Sequence, residues 1–93
     1  MEQPIQVRHN AATCRYQAMV DGHLSVCEYE IKGGRIIFTH TVVPPELRGR
    51  GMAEILVRAA LADARQAGQK VVPQCSYVAK FIERNREYQD LLA

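Results

Sequence analysis

Apolar residues recur at every second position through the first half of the chain. In much of the second half they recur at every third or fourth. Over His23–Lys32, Leu24, Val26, Glu28 and Glu30 alternate with Ser25, Cys27, Tyr29 and Ile31, the period of a half-buried strand. Residues 13–20 carry a similar pattern, and Asp21-Gly22 between the two runs is a hairpin signal. Gly33-Gly34 supplies a second two-residue turn, which leads into a β-branched run over residues 35–43. A short opening strand is expected over residues 5–10, with Ile5 and Val7 on one face and Asn10-Ala11-Ala12 as its turn. Three hairpin-like connections in succession predict an antiparallel meander of four strands.

Pro44-Pro45 closes that ladder, because neither residue donates a backbone hydrogen bond. From Met52 the period becomes helical. Met52, Ile55, Leu56, Ala59, Ala60 and Ala64 fall on one side, and Glu54, Arg58, Asp63 and Arg65 on the other. Gly68 fits the end of this helix. Residues 70–75 read as a fifth strand despite Pro73, and Ser76 can cap a following helix with Val78, Ala79, Phe81 and Ile82 as its apolar stripe. Tyr88, Leu91 and Leu92 suggest a last helical turn. A strand–helix–strand passage needs a crossover, so the fifth strand should lie parallel to the fourth. The order is ββββαβα, an α+β (α/β) fold in one domain over residues 1–93.

Charge narrows the choice of partners. The net charge is +2, too small to argue for nucleic acid. Residues 1–43 hold four basic and four acidic side chains, whereas residues 44–93 hold eight and six, so the small excess lies with the later loop and helices. Cys14, Cys27 and Cys75 form no CxxC pair, and an odd count argues against a disulfide framework. No metal site is expected. Met1-Glu2-Gln3-Pro4 lacks a signal pattern, and no run approaches the ~18 apolar residues of a membrane span. The expectation is a soluble cytoplasmic protein with reduced thiols.

The densest candidate chemistry is Arg48-Gly49-Arg50-Gly51-Met52-Ala53. Two glycines allow close backbone approach, and the helix start behind them presents unpaired N–H groups, a setting that suits phosphate. Arg48 and Arg50 can add charge-assisted contacts. The plain alternative is a tight turn with solvated arginines. A dinucleotide fingerprint is disfavoured by the missing third glycine, and no Gly-Lys-Ser/Thr of a Walker loop follows. Cys75, at a strand end before a helix start, is a candidate thiolate or proton donor; the alternative is a small buried hydrophobe. Alternation places His40 on the face of Ile36, Phe38 and Val42, as a possible base or a structural histidine. Cys14 and Cys27 read as core or sheet-face residues, and His9 and His23 as solvated. Glu28 and Glu30 read as a solvated edge. Arg84, Asn85 and Arg86 read as a solvated helix face.

The run Thr41-Val42-Val43-Pro44-Pro45-Glu46-Leu47-Arg48-Gly49-Arg50-Gly51-Met52-Ala53 resembles motif A of the GNAT superfamily of N-acetyltransferases, Gln/Arg-x-x-Gly-x-Gly/Ala, at Arg48, Gly51 and Ala53. The tail, with Val71-Val72-Pro73-Gln74-Cys75-Ser76-Tyr77-Val78, Phe81-Ile82 and Glu87-Tyr88, resembles a small single-domain GNAT-like subgroup. The resemblance implies that acetyl-CoA is the cosubstrate, with an amine, a small molecule or a protein, as acceptor. By it, the amides of Gly49, Arg50, Gly51, Met52 and Ala53 hold the pyrophosphate. Backbone groups of Thr41, Val42 and Val43 pair with the pantetheine arm, and the two parallel strands splay apart between Val42 and Cys75. Larger members insert helices after the first strand and carry an acid tyrosine several residues into the last helix. Here the first connection is short, and Phe81, Ile82 and Glu83 stand at the tyrosine's place. The expected chemistry is direct attack by a neutral amine on a thioester polarised by a backbone N–H, with His40 as base and Cys75 as acid. An acetyl-Cys75 route is the variant, and a CoA-binding module with little catalysis is the rival reading.

Overall fold

The computed structural model describes residues 5–93, so the reading of the first four residues lies outside it. Five strands form one sheet: β1 (Arg8–Asn10), β2 (Arg15–Val20), β3 (His23–Lys32), β4 (Arg35–Val42) and β5 (Lys70–Pro73). Their spatial order follows the sequence, with the first four antiparallel and β5 parallel to β4. Helix α1 (Met52–Gln66) makes the crossover, and α2 (Ser76–Arg84) follows β5. A 3-10 turn at Arg86–Leu91 ends the chain, beside Val71 through a bridge from Leu92.

One face of the sheet supplies the core: Tyr16, Ala18, Cys27, Tyr29, Ile36, Phe38 and Val71 are buried. Against them α1 sets Met52, Leu56, Val57, Ala60, Leu61 and Ala64, while α2 sets Val78, Phe81 and Ile82. The Arg58 guanidinium lies 5.0 Å from the Phe81 ring centre, and Arg65 pairs with Asp90 at 2.7 Å, so both later elements lie alongside α1. Among the described residues no helix covers the other face, where Met19 and Val42 stand exposed and Leu24, Val26 and Ile37 half-buried. Gly68 closes α1 as expected, its N–H donating to Arg65 and that of Gln69 to Ala64 in a Schellman pattern.

Several boundaries differ from the sequence reading. The first strand is only Arg8–Asn10, without Ile5 or Val7, and it ends where Ala11–Thr13 forms a 3-10 turn tied back by Asn10. β5 stops at Pro73, and Cys75 rather than Ser76 takes the cap position of α2. Cys14 is exposed at φ 54°, not a core or sheet-face residue. His9 is engaged rather than merely solvated: its Nε2 lies 2.6 Å from the Tyr29 hydroxyl and its ring stacks on Tyr16 at 4.2 Å.

The consequential irregularity is in β4. Glu28 pairs with His40 and Tyr29 with Phe38, so Thr39 is an extra residue, a β-bulge. Its hydroxyl donates to the Glu28 carbonyl at 3.3 Å, which satisfies an acceptor at the irregularity.

Candidate functional site

The bulge inverts the alternation beyond it. Ile36 and Phe38 point to the core, but after Thr39 it is Thr41 that turns inward, and His40 and Val42 turn to the uncovered face. The expectation that His40 shares a face with Ile36 and Phe38 is therefore corrected. Its side chain is 71% exposed and its Nδ1 lies 3.8 Å from Glu28.

Parallel pairing of β4 with β5 ends at Phe38 and Pro73. The Cys75 N–H still donates to the Phe38 carbonyl at 2.8 Å, but residues 39–42 have no β5 partner. The two chains thus part after Phe38, as expected of the splayed pair. Across the parting, the Thr41 hydroxyl lies 3.5 Å from the Cys75 sulfur and 3.8 Å from that of Cys27.

These two thiols have opposite electrostatics. Burial pushes the Cys27 thiol up to about 11, despite a lowering contact from Thr41. At Cys75 burial also acts upward, but the Thr41 hydroxyl and the amides of Val78, Tyr77 and Thr41 outweigh it and hold the thiol below its ordinary value. No side-chain bond caps the first turn of α2. The Tyr77 and Val78 amides belong to that first turn, and the Thr41 amide reaches the sulfur from β4.

Above the parting lies the glycine loop. A 3-10 turn at Pro45–Leu47 buries Leu47 as an anchor and delivers the chain to Gly49 and Gly51, at φ 82° and 74°. Gly51 is the cap residue of α1 with no side-chain cap bond, so the first-turn amides remain open. An open groove of about 300 Å³ runs here, lined by Val43, Leu47, Arg48, Gly49, Gly51, Met52, Ala53, Glu54 and Tyr77. A Cβ at Gly49 or Gly51 would meet no atom of the described residues within 4 Å. Arg50 is drawn aside to Asp21 at 3.0 Å, whereas Arg48 makes no ion pair among the described residues. The Glu54 carboxylate, unfavourable to an anion, is held by Arg58 at 3.0 Å.

A profile described as GCN5-related N-acetyl-transferase matches residues 15–91 of the chain. This chain belongs to that family. Protein NATD1 of Gallus gallus is 35% identical over 85 residues, spanning 88% of this chain and 77% of the relative. Protein NATD1 of Homo sapiens is 34% identical, spanning 88% and 75%. The fold matches the NMR structure of a GCN5-like protein of Staphylococcus aureus with a TM-score of 0.76, at 24% identity, over 95% of this chain and 87% of that one.

Acetyl-CoA is the usual cosubstrate of this GNAT family, and the loop fits it. The glycine turn, the open amides of α1 and Arg48, without an ion pair among the described residues, lie together along the groove, a setting that suits an anion. Among the described residues, no three His, Cys, Asp or Glu side chains lie together as a metal site, and no helix is long and apolar enough to cross a membrane.

Three side chains take places that the sequence had not assigned them. Thr41 enters by its side chain, Tyr77 as a groove wall, and Glu28 as the partner of His40. Only Tyr77 carried a local signal, two residues past Cys75 in a first helical turn.

Proposed function

We propose that this chain, as a single domain over residues 1–93, binds acetyl-CoA and transfers the acetyl group to an amine. The supporting observation is that the glycine-lined groove reaches Val43 and Tyr77, each two residues from the Thr41–Cys75 contact. In this reading the amides of Gly49, Arg50, Gly51, Met52 and Ala53 hold the pyrophosphate, with Arg48 as its cation. Backbone groups of Thr41, Val42 and Val43 hold the pantetheine arm. Bound acetyl-CoA supplies an acetyl group activated as a thioester.

Cys75 is the reacting side chain. A thiol held below its ordinary pKa presents more of the nucleophilic thiolate. That suits the covalent route, in which the Cys75 thiolate Sγ takes the acetyl group as CoA leaves as its thiolate, and the amine then takes it as Sγ leaves as thiolate; the acid role of Cys75 is the alternative. His40, beside Glu28 on the uncovered face and across β4 from the Cys75 contact, is the candidate base and takes the amine's proton through solvent. Three free cysteines accord with a reducing, cytoplasmic setting.

The uncovered face also favours a second reading, a CoA-binding module with little turnover, because nothing among the described residues encloses an acceptor there. Titration calorimetry separates the outcomes. Absence of CoA and acetyl-CoA binding at millimolar concentration would sink both readings. Given binding, acetyl transfer to a panel of amines should fall in Cys75→Ala and His40→Ala. Binding without transfer to any amine selects the module.

A further inference from the structure

Thr41 holds a place that neither the loop nor the strand edge requires of its side chain. Its hydroxyl stands between two sulfurs, 3.5 Å from Cys75 and 3.8 Å from Cys27. Three features fix it there. The bulge at Thr39 turns the side chain inward, pairing with Cys27 sets its height along the sheet, and Cys27 is fully buried behind it. We infer that Thr41 is the positioning residue of the Cys75 thiol, its hydroxyl donating to the Cys75 sulfur while Cys27 serves as its packed rear wall.

The chemistry is directional. A Thr hydroxyl has one proton to donate. Cys27, enclosed in the core, stays a neutral thiol through the physiological range, and a neutral sulfur is a weak acceptor. Once Cys75 ionises, the charged sulfur draws that single proton, because hydrogen bonds to charged groups are roughly twice as strong as neutral ones. The hydroxyl thereby favours the thiolate over the thiol and fixes the sulfur on the side where the strands part.

This inference deepens the reading of Cys75 as the reacting thiol, yet it is testable without acetyl-CoA. The rate at which iodoacetamide alkylates Cys75 (sulfur–carbon bond formed, iodide released) is followed against pH. Peptide mass spectrometry separates Cys75 from the exposed Cys14. Thr41→Val keeps shape and removes the hydroxyl. It should move the alkylation midpoint up by about one pH unit, roughly a tenfold loss of thiolate below both midpoints. Thr41→Ser should restore the wild-type midpoint. Cys27→Ala should leave it in place or lower it. An unmoved midpoint in Thr41→Val would overturn the inference. So would an equal rise in Thr41→Ser, which would trace the effect to packing, or a rise in Cys27→Ala, which would make Cys27 the controlling group. Should Thr41→Val fail to fold, Thr41→Ala carries the same comparison. Acetyl transfer is assayed separately: a moved midpoint with no transfer by wild type keeps the inference and removes only the enzymatic reading.

Discussion

Gly51 lets the cofactor cradle be tested apart from the stability of the fold. It sits at φ 74° and ψ 20°, where an L-residue costs roughly 1–2 kcal/mol. An added Cβ meets nothing within 4 Å, so no clash adds to that strain. With an unfolding entropy of about 2.1 cal/mol/K per residue, a chain of 93 residues loses about 5 °C of Tm per kcal/mol. Gly51→Ala should therefore melt about 5–10 °C lower. Gly34→Ala is the control: φ is 75°, its Cβ space is equally empty, and it lies at the opposite end of β4. Both variants should lose similar stability. Only Gly51→Ala places a methyl where the phosphate must approach the amides. Losing one charge-assisted contact of about 1.5–3 kcal/mol weakens CoA by roughly 10- to 150-fold. Thermal melts and titration calorimetry on the two variants decide the matter. If Gly51→Ala binds CoA within twofold of wild type while both variants melt early, the glycines are turn formers and the cradle is wrong.

Ser25 is fully buried and its hydroxyl has no hydrogen-bond partner among the described residues, so Ser25→Ala should raise stability by up to ~1 kcal/mol in denaturant melts, and a clear loss would reveal an unseen partner. Cys27 ionises near 11 when folded against 9.0 when unfolded, so the folded state binds more protons and stability drains away as pH rises from 9.0 to about 11. Cys27→Ala should lack about 2–3 kcal/mol of that alkaline loss relative to wild type, measured as the difference between their pH–stability curves, and superimposable slopes would contradict the buried thiol's role.

What was legible in the sequence was local. Gly49 and Gly51 before a helical period announce a positive-φ turn feeding an uncapped helix, because both backbone freedom and open amides belong to that short stretch. The crossover that makes β5 parallel to β4 also follows from chain order alone. The faces of residues 40–42 do not, because they depend on a register decided between strands. Alternation along β4 assumes an unbroken ladder, and the extra residue at Thr39 is visible only against Glu28 and Tyr29 on β3. The same slip accounts for the missed chemistry. Without it Thr41 would face away from Phe38 and could not meet Cys75, and His40 would be buried rather than paired with Glu28. Cys75 depends on the same strand pair: its N–H is held by Phe38, the last paired residue before the bulge, which leaves its sulfur at the first turn of α2. A one-residue irregularity thus sets the thiol contact on one side of β4 and the histidine on the other. The glycine loop lies outside that strand pair, so substitutions at Gly51 and at the Thr41–Cys75 contact should test the proposed phosphate site and the proposed thiol separately.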